Sequence, residues 1–130
     1  ARTANIFSVT DTPLEAVHNH GSFFSGGVPV FETIDLISTR TLGEGAAAAL
    51  GDAAAVLLRG NGQVTAGRTI PEAVMMAIYL EEAAQVLYGA MQVGMPHFLP
   101  GEAAGSRQKE ALPPPDMERA WTFFKNRVGM

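Results

Sequence analysis

The chain has no cysteine among its 130 residues. That excludes disulfide staples and thiolate chemistry, a usage that fits the cytoplasm. Basic residues are scarce too. Nine Lys and Arg stand against 13 Asp and Glu, giving a net charge of −4 and a pI near 5.3. This balance supplies neither the basic face of a nucleic-acid binder nor a Lys/Arg cluster for an anionic membrane surface. No apolar run approaches a bilayer span, and residues 1–20 lack the charged-then-apolar layout of a signal peptide. Charged residues make up 17% of the chain and apolar residues 47%, so a real core is feasible and wholesale disorder is not expected. These absences point to a soluble, cytoplasmic α/β domain without nucleic-acid or membrane partners. The chain opens Ala1-Arg2-Thr3 with no initiator methionine, which reads as a processed start, a fragment, or one subunit of a split protein.

Thr3 to Thr10 alternate loosely around Ile6, Phe7 and Val9, which predicts a short strand or an extended arm. Asp11-Thr12-Pro13 is a turn signal. Leu14 to His20 fits either an extended or a helical piece. Gly21 to Pro29 is glycine-rich and reads as loop anchored by Phe23 and Phe24. Val28 to Glu32 is expected as a brief edge strand, because Pro29 has no N–H for a ladder. Thr41 to Leu50 predicts a short helix that Gly51 ends.

Ala53–Arg59 and Gln63–Gly67 are two runs of strand length. Gly60-Asn61-Gly62 joins them, and Asn-Gly favours a hairpin because both residues tolerate positive φ. Thr69 and Glu72 then form a capping-box pattern, Pro71 lies in the first turn, and Gly94 waits beyond the helix end. Inside this helix Val74, Ala77, Ile78, Ala84, Leu87 and Met91 make one apolar face, and Met75, Tyr79 and Val86 another. Burial on two sides is the expectation. Residues 100–115 read as a connector. Asp116 is expected to cap a last helix over 117–128, with Trp121, Phe124 and Val128 on one face.

Three stretches taken together, Ala53 to Gly67, Thr69 to Ala73 and Tyr79 to Ala84, resemble the class II aldolase/adducin family. In that family a strand ends in an Arg-Gly-His-Gly or Arg-Asn-His-Gly turn, and a later helix carries Leu-Glu-x-x-Ala. Phe7 to Leu14, Gly27 to Glu32 and Glu118 to Trp121 are similar to a branch of decarboxylases of hydroxylated aromatic and heterocyclic carboxylic acids. The resemblance implies an α/β fold with a mixed central β-sheet flanked by helices on both faces. Residues 1–130 would be its C-terminal portion, as a body over 1–99, a connector over 100–115 and a C-terminal helix over 116–130. It implies a metal-dependent carbon–carbon lyase of aldolase or decarboxylase type, acting on a small carboxylated substrate. It also implies a homo-oligomer, or pairing with a chain that carries the N-terminal half.

The family's divalent metal (Zn, Mn or Fe) is held by a His-x-His on one strand, whose period of two puts both rings on one face. A further histidine comes from the turn that here reads Gly60-Asn61-Gly62. Asn61 therefore occupies a metal-ligand position with only a neutral carbonyl oxygen, a poorer ligand for zinc. Asn19 likewise stands where the decarboxylase branch tends to place a histidine. His18 and His20 allow two registers. In one they are the metal pair. In the other, which fits better, that pair lies upstream of Ala1. Phe7 to Leu14 resembles the family's segment just C-terminal to the pair, and the spacing from His20 to Asn61 is short. Losing both histidines would leave an adducin-like structural or binding module as the alternative to an enzyme.

The candidate catalytic residues are thus His18, Asn19 and His20. Arg59 and Phe24 are the candidate substrate contacts, and Asn61 marks the metal position. Each has a plainer reading. His18 and His20 would be surface or hydrogen-bonded histidines, Asn61 a turn residue, and Arg59 the partner of a nearby carboxylate. Phe23, Phe24, Phe31 and Trp121 would be core or interface residues. Of Glu81 and Glu82, one would reach solvent while the other bonds backbone or an arginine. Gly21, Gly26 and Gly27 fit no phosphate-binding pattern.

Overall fold

A βαβ unit and a hairpin share one strand in the computed structural model, which describes residues 1–100 and 114–130. In chain order the elements are α1 (Arg2–Ser8), a 3-10 helix (His20–Phe24), β1 (Val30–Phe31), α2 (Arg40–Leu50), β2 (Ala55–Leu58), β3 (Gly62–Thr65), α3 (Ile70–Val93) and α4 (Pro114–Arg127). The sheet order is β1-β2-β3, with β1 parallel and β3 antiparallel to β2. A parallel pair needs a crossover rather than a tight turn, and α2 supplies it. The expected brief edge strand is present. Pro29 lies just ahead of it, and its carbonyl accepts from Leu57 N–H at 2.9 Å.

Helices cover both faces of the sheet. Ala55 and Leu57 join the core made with α1 and α3, whereas the fully buried Val56 lies outside that cluster, as does the buried Ala46 of α2. This is the period-two alternation of a strand covered on both sides. Alpha2 is ended as expected, by Gly51 at φ 51°.

The hairpin is antiparallel with Leu58 opposite Gly62, but its turn chemistry differs from the expectation. No non-glycine residue among those described has positive φ; Gly60 (φ 71°) and Gly62 (φ 137°) carry the left-handed geometry. Asn61 is thereby freed from a backbone role, and its side chain ties the loop instead.

Alpha3 starts on Thr69, whose Oγ1 accepts Glu72 N–H at 3.2 Å. The reciprocal bond runs one residue early, from Arg68 N–H to Glu72 Oε2 at 2.9 Å. This close approach of β3 to the helix start requires Gly67, since a Cβ there would sit 2.5 Å from Ala73 N. Gly94 ends the helix in extended backbone (φ 174°) rather than a left-handed cap. The buried stripe is Met75, Met76, Tyr79, Leu80, Ala83, Ala84 and Leu87. Each of the two expected apolar faces is buried only in part: Ala84 and Leu87 of one and Met75 and Tyr79 of the other are buried, while Val74, Val86 and Met91 are exposed.

Two further expectations are overturned. The strand or arm expected over residues 3–10 is the helix α1, burying Ala4, Phe7 and Ser8 at helical spacing. Its first N–H groups find a carboxylate from far along the chain: Thr3 N–H donates to Glu81 Oε1 at 2.9 Å and Ala4 N–H to Glu81 Oε2 at 3.0 Å. A short helix is unstable alone, and this distant cap together with burial supplies what local propensity does not. Alpha4 begins at Pro114, so Asp116 lies in its first turn and does not precede it. Met117, Ala120 and Phe124 pack on the core, while Val128 is exposed. The expected connector falls, over residues 101–113, outside the described residues. No helix among the described residues is long and apolar enough to cross a membrane.

Candidate functional site

The residues singled out from sequence fall in two places. His18, Asn19 and His20 lie where the chain enters the 3-10 helix against α3; Arg59 and Asn61 lie at the β2–β3 turn. No hydrogen bond or ring contact found among the described residues joins His18 or His20 to Arg59 or Asn61.

The histidines are not on a strand. His18 is in a bend and His20 opens the 3-10 helix, so the period-two argument for a shared strand face does not apply. Their rings instead meet edge-on, with centroids 5.8 Å apart. His20 lies against the Tyr79 ring at 4.4 Å, and Phe23 stacks on Tyr79 at 5.7 Å. A further contact comes from α3: His20 Nδ1 is 2.9 Å from Glu82 Oε2. A carboxylate only accepts, so Nδ1 carries the proton and Nε2 of the neutral ring keeps its lone pair.

His18 is different. Its Nδ1 is buried without a hydrogen-bond partner, and a Cβ on Gly21 would lie 3.4 Å from it. Burial first, then the neighbouring His20, lowers the His18 pKa against an upward pull from Glu82. The ring is therefore held neutral. Tyr79 is pushed above its ordinary value by burial, with Glu82 and Asp116 adding to it, and stays a phenol.

At the turn the polar groups are already used. Arg59 reaches Glu32 with two of its nitrogens, one bond running from Nε to Oε2 and the other from an Nη to Oε1 at 2.6 Å. This is the planar fork that a substrate carboxylate would otherwise occupy. Asn61 Nδ2 donates to the carbonyls of Ile34 at 2.8 Å and Asp35 at 3.3 Å. Gly60 N–H donates to Ser8 Oγ at 3.0 Å, which pins the turn to α1.

An open cleft of about 640 Å³ lies between the 3-10 helix and the chain leading into β2, walled by Phe23, Phe24, Gly26 and Gly27 with Glu15 and Asp52. Phe24 is both a core residue and part of this wall. The two carboxylates oppose a phosphate on the glycine backbone.

Among the described residues no group of three or more His, Cys, Asp and Glu is placed to hold a metal ion. The amide nitrogen of Asn61 faces carbonyls, and His20 Nδ1 faces Glu82. These residues do not fit the implied metal. Sequence reasoning missed Tyr79 and Glu82 as members of the histidine cluster. Their one available signal was an acidic pair in an otherwise apolar helix, and it did not name the partner 62 residues away.

Known proteins share this arrangement of elements. The family model described as Class II Aldolase and Adducin N-terminal domain matches residues 1–88. The 3,4-dihydroxyphthalate decarboxylase of Rhodococcus jostii (strain RHA1) is 33% identical over 69 residues, which is 53% of this chain and 28% of that protein. An aldolase II superfamily protein from Pseudomonas syringae superposes with a TM-score of 0.75 at 26% identity, over 98% of this chain and 52% of that one. An L-fuculose 1-phosphate aldolase gives 0.73 at 25% identity, over 83% and 50%. The chain thus spans about half the length of these structures and less of the curated relative.

Proposed function

The chain belongs to the class II aldolase and adducin family, and from that premise we propose that it is part of a carbon–carbon lyase, of aldolase or decarboxylase type, acting on a small carboxylated substrate. The observation that carries the reading is the family match across residues 1–88. The likeness to a decarboxylase and to an aldolase supports it. Both reactions leave an electron pair on carbon and move a proton, so a histidine held in one tautomer is a useful group. Dependence on Zn, Mn or Fe enters through the family alone. The described residues offer it no ligand set.

The test is turnover of two probes taken from the relatives' names, 3,4-dihydroxyphthalate and L-fuculose 1-phosphate. CO₂ release or aldol cleavage is expected. A folded protein that cleaves neither probe overturns the reading. It would favour the adducin-like binding module instead, which the internally satisfied Asn61 and Arg59 already suit.

Assembly belongs to the same proposal. Ile70, Val74, Tyr88, Met91 and Val93 leave apolar surface on α3 exposed, and such surface is a natural contact for a second subunit. Native mass spectrometry distinguishes a homo-oligomer from pairing with a different chain. A monomer would remove the assembly part of the reading. A cytoplasmic location completes the proposal, and fractionation of the producing cells tests it.

A further inference from the structure

Glu82 and His20 form a unit that nothing in the family likeness assigns. The imidazole is held by neighbours of different kinds: the Glu82 carboxylate at Nδ1, the Tyr79 ring at 4.4 Å, and the edge of His18 at 5.8 Å. Phe23 stacks on Tyr79 and so backs the arrangement. The His20 side chain nevertheless keeps 42% of its surface open, and no hydrogen bond found among the described residues falls on its Nε2. An ordinary surface ion pair leaves its ring free to turn. Here the ring is packed and its Nδ1 is committed to the Glu82 carboxylate.

We infer that His20 exchanges a proton with the substrate at Nε2, and that Glu82 is the positioning residue that fixes the Nδ1–H tautomer. The inference rests on the lyase reading. In a decarboxylation the bond from carbon to carboxylate breaks, CO₂ leaves, and the electron pair stays on carbon. Nε2 takes a proton from solvent, and the imidazolium so formed delivers it to that carbon and returns to the neutral ring. In an aldol cleavage Nε2 takes the hydroxyl proton as the carbon–carbon bond breaks and the carbonyl forms, and the same proton quenches the carbanion. Either way the proton passes through one nitrogen; the aldol cleavage recycles the substrate's own proton, and the decarboxylation draws one from solvent. With the proton on Nε2 instead, the neutral ring could not act as the base.

The charged and titratable neighbours fit this role. Glu82 accepts from Nδ1, His18 is held neutral, and Tyr79 stays a phenol. A neutral His18 keeps a second positive charge away from the imidazolium that forms in turnover.

Nitrogen-15 NMR of the imidazoles tests the tautomer on the 130-residue chain directly. The wild type is expected to show His20 protonated at Nδ1, and Glu82→Ala to shift it toward Nε2. Turnover of the two probes tests the consequence. His20→Gln is expected to lower kcat by about 100-fold and Glu82→Ala by at least about tenfold, with KM little changed. The double variant should be no worse than His20→Gln alone, because the two act as one unit. A purely structural pair would instead lower stability and leave kcat of the folded fraction intact, and that result overturns the inference. If the wild type turns over neither probe, the lyase reading fails and the tautomer alone decides. In the neutral ring, a proton on Nδ1 that moves in Glu82→Ala supports the positioning role, and a proton on Nε2 in the wild type overturns it.

Discussion

At the β2–β3 turn, Arg59 meets Glu32, Asn61 meets the carbonyls of Ile34 and Asp35, and the Gly60 N–H meets Ser8. Where the 3-10 helix meets α3, the pattern is less closed. His20 has one nitrogen bonded and one open, and His18 has a buried nitrogen with no partner. The family resemblance draws attention to the turn, where it implies a ligand position at Asn61. The geometry draws attention to the histidines. A polar group already paired inside the fold must lose that bond before it can bind anything, whereas an open one is available without that cost. On the proposed lyase reading, the difference places structure at the turn and chemistry at the histidine cluster.

The largest effect should come from Glu81, which adjoins Glu82 in sequence but belongs to the fold. Glu81→Ala removes both acceptors from the start of α1 and is expected to cost about 2 to 3 kcal/mol, read from urea unfolding. Burial pushes the Glu81 carboxyl up, but bonds from Ala4, Thr3 and Gln85 outweigh it and leave the folded value low. Its contribution is complete above the unfolded value of about 4.3 and is lost as pH falls through the lower folded value. Glu81→Gln should therefore flatten the acid end of the stability profile. An unchanged acid limb would show that α1 does not depend on this cap, and neighbouring glutamates could not then be divided into a structural and a chemical one.

How much of this was legible depended on where the partner lay. The hairpin, α2, and the start of α3 at Thr69 and Glu72 were readable because their signals lie within a few residues of one another. Alpha1 was not, since its cap comes from Glu81. The alternation of Ile6, Phe7 and Val9 imitates a strand, yet Ile6 and Val9 are exposed while Ala4 and Ser8 are buried. The same limit hid the site. His20 was a candidate by residue type alone, and only folding brings Glu82 to it. The apolar faces of α3 were misjudged for a related reason. Apolar positions all around one helix do not say which of them this sheet covers, and periodicity groups the exposed Val74 and Met91 with the buried Leu87.

A middling effect is expected at the turn. Asn61→Ala loses the bonds to Ile34 and Asp35 at a partly exposed site and should cost about 1 kcal/mol in urea unfolding. It should leave the His20 tautomer untouched. A shift of His20 in this variant would couple the two regions and break the division drawn above.

His18→Leu offers a change of slope more than of size. Because the folded His18 pKa is lowered, the unfolded chain takes up the proton more readily. Stability is therefore full above the unfolded value of about 6.5 and falls as pH drops toward the folded one. The leucine variant removes both the partnerless nitrogen and this loss. Its unfolding midpoint should vary less than that of the wild type as pH falls below about 6.5. An identical pH dependence would mean that His18 is solvated in solution and that the histidine cluster is less enclosed than its geometry implies.

Arg59→Ala should do least. Its fork on Glu32 holds that carboxyl below the usual range through the hydrogen bond first, and the charge of Arg59 adds to it. Both partners lie in solvent-screened surroundings, where an ion pair contributes little to stability and less as salt rises. No resolvable change in the urea midpoint is expected at moderate salt. If Arg59→Ala instead raises KM for a carboxylated probe while leaving the fold intact, then Glu32 is a placeholder that the substrate displaces. The turn would then belong to the binding site after all, with the histidine cluster supplying the proton and the guanidinium holding the anion.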